Sequence, residues 1–131
     1  MKFNALIPEL TVSDLKQTKN FYTNVLGFRV EYERKEDGFA FLSLEDNQIM
    51  FEQYHEDGWN TAELVKPFGR GVNFEMGVSD VEQFYEKVVS CGVPRYRELK
   101  TNVYQTEDGP VSQKEFLLMD PDGFLLRFTE L

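Results

Sequence analysis

The sequence predicts an α+β domain over residues 1–131, built from two tandem βαβββ modules, and three observations carry that prediction. The segment Leu10-Thr11-Val12-Ser13-Asp14-Leu15 recurs in kind as Met76-Gly77-Val78-Ser79-Asp80-Val81, 66 residues further on, which is half the chain. Each copy is followed by a Phe-Tyr pair and then a glycine, Phe21-Tyr22 with Gly27 and Phe84-Tyr85 with Gly92. After each of these, three stretches carry strand patterning. Module one is expected over about 1–66 and module two over about 67–131.

Leu6 to Val12 is a short apolar run, and Val72, Phe74, Met76 and Val78 alternate with Asn73, Glu75 and Gly77, the period of a half-buried strand. Ser13 or Asp14 is placed to cap the first helix, with Gln17 as the partner of Asp14, while Ser79 and Glu82 form a capping-box pattern for the second. Leu15, Thr18, Tyr22, Val25 and Leu26 make one helical stripe, and Val81, Phe84, Tyr85, Val88 and Val89 make the other. Gly27 and Gly92 stand where a left-handed C-terminal residue is wanted.

Phe28, Val30 and Tyr32 then alternate with charged residues, Glu36-Asp37-Gly38 turns the chain, and Phe39–Leu44 and Gln48–Tyr54 follow as strands around Glu45-Asp46-Asn47. In the second half the expected strands are Arg95–Gln105, Lys114–Met119 and Phe124–Thr129, the last two joined by Asp120-Pro121-Asp122-Gly123. Two longer connections remain. Glu56–Gly71, with Trp59, Pro67 and Gly69, links the modules, and a second loop is expected over roughly Thr106–Gln113.

Composition narrows the function. Twelve Phe and six Tyr imply an interior filled largely by rings. Fourteen Lys and Arg against 23 Asp and Glu give a formal net charge of −9, which repels a phosphate backbone and leaves a cationic or neutral partner. A single cysteine, Cys91, excludes an internal disulfide and any zinc site built on Cys pairs. No apolar stretch of signal-peptide length precedes Pro8 and Glu9, and none approaches about 20 residues, so no membrane segment is expected and a cytoplasmic location is the default.

Pro8-Glu9-Leu10-Thr11-Val12-Ser13-Asp14 with Phe21-Tyr22 and Leu26-Gly27-Phe28, the second Val78-Ser79-Asp80-Val81, and the terminal Asp120-Pro121-Asp122-Gly123-Phe124-Leu125-Leu126-Arg127 together resemble the glyoxalase/bleomycin resistance/dioxygenase, or vicinal oxygen chelate, superfamily. The resemblance spans the whole chain. It implies a curved, partly open mixed sheet around a cavity with the helices outside, in a homodimer that can exchange modules between chains. It further implies a divalent metal held by His, Glu or Gln from four strands, positions that fall here on Ile7, Glu52, Asn73 and Arg127. Of these only Glu52 is a good ligand, since Ile7 has no donor atom, Asn73 is a weak neutral oxygen ligand and Arg127 carries a positive charge that repels a cation. In that respect the chain resembles the metal-free, bleomycin-resistance-like members, which share a Leu-Leu-Arg after the Asp-Pro-Asp-Gly turn.

The expectation is therefore a small-molecule binding protein, with no metal, no cofactor and no catalytic residue, that sequesters a cationic or aromatic ligand in a dimer-associated cavity. Glu9 and Glu75 occupy corresponding first strands of the two modules, which places them near one another across the cavity, and Glu52 and Arg127 are the other charged candidates, alternatively read as a structural ion pair. Phe41 is a core or cavity-wall ring, and Trp59 and Tyr104 lie in or beside the long loops, where a ring can stack on a flat or cationic group. His55 is read as a solvated turn residue rather than a general base, and Cys91 as a small buried or half-buried hydrophobe. The alternatives are a metal-dependent lyase, isomerase, dioxygenase or thiol transferase, in which Glu9, Glu52 and Glu75 converge on a cation, and a non-catalytic interaction module whose cavity is filled by its own side chains.

Overall fold

In the computed structural model, which describes residues 1–131, the first strand β1 (Glu9–Val12) sends Leu10 and Val12 to one face and Glu9 and Thr11 to the other. The Asp14 carboxylate then accepts from the Gln17 N–H at 3.1 Å and starts helix α1 (Leu15–Asn20). The helix continues as a wider π-helical turn over Phe21–Val25. Thr23 supplies a reason: its hydroxyl donates back to the Lys19 carbonyl at 2.8 Å, the acceptor that its own N–H would use in an α-helix. The widened turn carries Tyr22 into the core, against Phe51 at 4.6 Å and Phe28 at 5.2 Å between ring centres.

Strands β2 (Arg29–Arg34), β3 (Phe39–Leu44) and β4 (Asn47–Gln53) complete a sheet in the order β1-β4-β3-β2, with β1 parallel to β4 and the other pairs antiparallel. The Glu36-Asp37-Gly38 turn closes as expected, with Gly38 left-handed at φ 62° after a 3-10 turn. A bulge at Glu31 interrupts the β2–β3 ladder.

The second half repeats the order. Strand β5 (Asn73–Val78), helix α2 (Val81–Ser90), and strands β6 (Arg97–Thr106), β7 (Gly109–Met119) and β8 (Leu125–Glu130) give a sheet ordered β5-β8-β7-β6, with β5 parallel to β8. Helix α2 covers one face: Phe84 packs on Phe128 at 4.5 Å and Tyr85 on Phe116 at 5.0 Å. Two open four-stranded mixed sheets, each with its helix, make the α+β two-module fold that the repeat predicts.

Several local expectations change. The cap of α2 is Asp80, accepting from Gln83 N–H at 3.1 Å, rather than a Ser79–Glu82 box. The Glu130 carboxylate takes the Val81 N–H at 2.7 Å, so Glu82 is free to pair with Lys114 instead. Val89 is 39% exposed at the edge of the helical stripe, and Cys91, past the end of that stripe, is exposed rather than buried. The largest change concerns Thr106–Gln113, which is no loop: β6 and β7 are paired through Thr106↔Gly109, and Glu107-Asp108 make the turn. Both faces of this hairpin's outer part are exposed, so its alternation carries no hydrophobic signal.

The chain divides into two units at Phe68 and Gly69, with one crossing: Pro121–Gly123 group with the first unit. Asp122, 2% exposed, accepts from the Ser13 N–H at 2.9 Å and from its hydroxyl, lies 3.5 Å from Lys66 Nζ, and its carbonyl accepts from Phe68 N–H. Gly123 follows at φ 99°, where a Cβ would stand 2.5 Å from Pro67 Cβ, so only glycine fits. No helix is long and apolar enough to cross a membrane.

Phe51 is fully buried between β1 and β3 and meets Tyr22. Phe51→Ala is expected to lower the unfolding free energy by about 3–5 kcal/mol in a urea titration; a loss below about 1 kcal/mol would show that the first module does not depend on this ring.

Candidate functional site

Strand alternation leaves the helix-free face of each sheet with side chains that the core does not use. In the first unit, cross-strand pairing aligns Thr11, Glu52, Phe39 and Arg34 in one row over that face, with Glu9 one step along β1. A pocket of about 650 Å³ lies there, bounded by Glu9, Glu36, Asp37, Glu52 and Asp57, with Phe39 as an apolar wall and Trp59 at its rim. Five carboxylates thus face Arg34 and His55. Arg34 lies 3.9 Å above the Phe39 ring and donates to Asp37 at 3.1 Å. His55 Nε2 lies 3.0 Å from Glu52 Oε1. Burial holds the Glu9 carboxyl above the usual carboxylate range, the neighbouring Glu52 charge adds to this, and Arg34 opposes it.

A smaller groove of about 380 Å³ occupies the helix-free face of the second unit, lined by Asn73, Arg97, Glu98, Lys100, Asn102, Tyr104, Glu115, Leu117 and Arg127. Its centre is Glu115, 2% exposed, which accepts from Asn102 at 2.7 Å and from the Tyr104 hydroxyl and lies 3.7 Å from Arg127 Nε. The hydrogen bond to Glu115 pushes the Tyr104 phenol above its usual value. Arg127 is held on its other side by Glu75, which also accepts from Gln113 at 2.9 Å.

The seven expected ligand-contacting residues therefore part. Glu9, Glu52 and Trp59 meet in the first pocket; Tyr104 and Arg127 line the second groove, with Glu75 bound to Arg127. Phe41 reaches neither: it is fully buried against Tyr32 and Phe3, each ring 5.4 Å away. The Glu52–Arg127 pair does not form, because Glu52 engages His55 and Arg127 engages Glu75 and Glu115. His55 is half exposed, as a turn residue should be, yet it also lines the pocket. Sequence reasoning missed Arg34 and Glu115. A strand-end arginine after three alternations marks Arg34 only weakly, and Glu115 differs in no local way from a solvated glutamate.

The metal that the fold implies does not fit these residues. Ile7 offers no donor atom, and Arg127 is itself the cation of its cluster. Glu75, the third member of an all-carboxylate set, belongs to the second unit and spends both oxygens on Arg127 and Gln113. No group of three His, Cys, Asp or Glu side chains is placed to hold an ion.

Residues 4–128 match the family model described as the glyoxalase/bleomycin resistance protein/dioxygenase superfamily. Bleomycin resistance proteins of Geobacillus stearothermophilus and Staphylococcus aureus are 28% identical over 132 residues, covering 95% of this chain and 94% of theirs. Among solved structures, a bleomycin resistance determinant encoded on transposon Tn5 superposes with a TM-score of 0.67 at 22% identity, covering 98% of each chain. TioX from Micromonospora sp. ML1 reaches 0.76 at 18% identity, again over 98% of each.

The raised Glu9 value fixes the sign of a pH effect. A carboxyl whose folded pKa exceeds its unfolded one contributes stability that is fully present below the unfolded value, near about 4.3, and lost as pH rises through the folded value. Glu9→Gln, neutral throughout, should therefore melt above the parent at pH 7 and level with it at about pH 3.5. Circular dichroism melts at the two pH values check this; an equal or lower melting temperature at pH 7 contradicts it.

Proposed function

The chain belongs to the glyoxalase/bleomycin resistance protein/dioxygenase superfamily, and from that premise we propose that it is a metal-independent binding protein which sequesters a cationic, flat aromatic small molecule. Bleomycin-type glycopeptides, with a positive tail and a heteroaromatic unit, are the leading example, in keeping with the bleomycin resistance proteins that it resembles along its length. One observation carries the reading. Glu9 and Glu52 lie close enough for one to raise the other's proton affinity, in a pocket that also holds Phe39 and the rim ring of Trp59. A cation relieves the cost of the Glu9 charge beside Glu52, and the rings give its flat portion a face to stack on.

Sequestration needs affinity alone. No residue has to move a proton, which accords with a pocket whose one imidazole is bonded to Glu52. The chain works in this reading as a single domain within a cytoplasmic homodimer. Sedimentation equilibrium should then return twice the 15.3 kDa chain mass; a monomer at tens of micromolar removes the dimer from the reading.

Trp59 is the only tryptophan and is 92% exposed, so its fluorescence reports on this rim without interference. Titration with metal-free bleomycin should change that emission saturably, Glu9→Gln and Glu52→Gln should each weaken binding about tenfold, and prior dialysis against a chelator should change nothing. Binding that disappears on chelation and returns with Mn²⁺ or Ni²⁺ would overturn the metal-independent reading, and the absence of saturable binding by bleomycin and by other cationic aromatic antibiotics would overturn the ligand class.

A further inference from the structure

The groove of the second module is richer in cations than the pocket of the first. Arg97, Lys100 and Arg127 face two carboxylates, Glu98 and Glu115, in a chain whose formal net charge is −9. The cations are unequally satisfied. Arg127 is fixed between Glu75 and Glu115. Arg97 has no carboxylate: one guanidinium nitrogen donates to the Tyr96 carbonyl at 2.8 Å and the group stacks on the Tyr96 ring at 4.4 Å. Lys100 makes no ion pair, although it stands opposite the buried Glu115 in register.

Register also sets the spacing. Arg97 pairs with Leu117, and Leu117 pairs with Arg127, so the two arginines share one sheet face on either side of a leucine floor. Strands lie about 4.8 Å apart, which separates their backbones by about 10 Å, and both side chains line the groove between. Beside them stand the amides of Asn73 and Asn102.

We propose that this groove is a binding site for an oxyanion, a carboxylate, phosphate or sulfate group held between Arg97 and Arg127 with Lys100 as the third cation. Arg127 is pre-organised by its two carboxylates and supplies directed donors, whereas Arg97 and Lys100 supply the charge that no protein group neutralises. Glu98, without a partner of its own, works against the bound anion and sets an upper limit on affinity. The site does not rest on the cation reading of the first pocket: it lies in the other module and takes a group of opposite sign.

The test is a melting series of the full chain at pH 7 and constant ionic strength, exchanging sodium chloride for phosphate, sulfate, acetate or citrate. Sulfate, phosphate and citrate also stabilise proteins generally by exclusion from their surface, an effect that grows with concentration without saturating, so the saturable part of the rise is the signal. A saturable rise over chloride is expected, of about 3–5 °C at ten times the dissociation constant. A rise with phosphate and sulfate alone marks a tetrahedral oxyanion, and a rise with acetate and citrate alone marks a carboxylate; either supports the site. Arg97 and Lys100 are exposed, so Arg97→Gln with Lys100→Gln should keep its melting temperature in chloride and lose at least tenfold in anion affinity. Glu98→Gln should move the other way and tighten binding about two- to fivefold. The proposal is overturned by no saturable rise beyond chloride, by a saturable rise that survives the double substitution, or by Glu98→Gln leaving affinity unchanged or lower.

Discussion

A rule of packing underlies everything this chain offers a ligand: each four-stranded sheet owns one helix, and one helix covers one face. Burial of Tyr22, Phe28 and Phe51 in the first module, and of Phe116 and Phe128 under Phe84 and Tyr85 in the second, commits alternate residues of β1, β4, β5 and β8 to the core. The two-residue period then delivers the remaining residues of these strands to the opposite face with their order already fixed. Glu9 and Glu52 in one module, and Glu75 and Arg127 in the other, are where they are because their neighbours in sequence are needed inside.

The duplication preserved this scaffold and not the chemistry on it. Corresponding rows run Thr11, Glu52, Phe39, Arg34 in the first sheet and Gly77, Thr129, Glu115, Lys100 in the second. Both finish in a cation on the outermost strand, but Thr129 takes the position of Glu52 and the buried Glu115 takes that of Phe39. In the first module Glu52 stays beside Glu9, with Arg34 and His55 as the nearby bases. In the second the position of Glu52 holds Thr129, and the neighbouring Arg127 is engaged by Glu75 and Glu115, so a set of ligands for a divalent ion does not assemble.

How much of this the residues disclosed in advance depended on whether their role was local. Asp14 three residues before Gln17, the helical stripes and the strands of the first half were readable because caps and periodicities act within a few positions. The α2 cap is Asp80, while Glu130, 49 residues away, takes the Val81 N–H and Lys114, 32 residues away, takes the Glu82 carboxylate, partners that no window of sequence shows. The β6–β7 hairpin was invisible for a related reason: its outer pairs are held by backbone bonds between exposed residues, so hydrophobic alternation had nothing to record. Glu9, Glu52 and Trp59 were singled out and do share a pocket, whereas the buried role of Glu115 rests on Asn102 and Tyr104 across the hairpin that was missed.

Chain order and spatial membership disagree at one place, residues 121–123, and that has an evolutionary and practical corollary. Asp122 is encoded in the second half of the gene, yet its carboxylate answers the donors of Ser13 at the threshold of the first helix. A cut at the linker, though it respects the internal repeat, would therefore orphan a buried acid on one fragment and strip the helix entrance of the other. Half-length ancestors of such a chain, if they folded alone, had to satisfy Ser13 by some other means, and fragments used for complementation would keep the native arrangement only when both are present together.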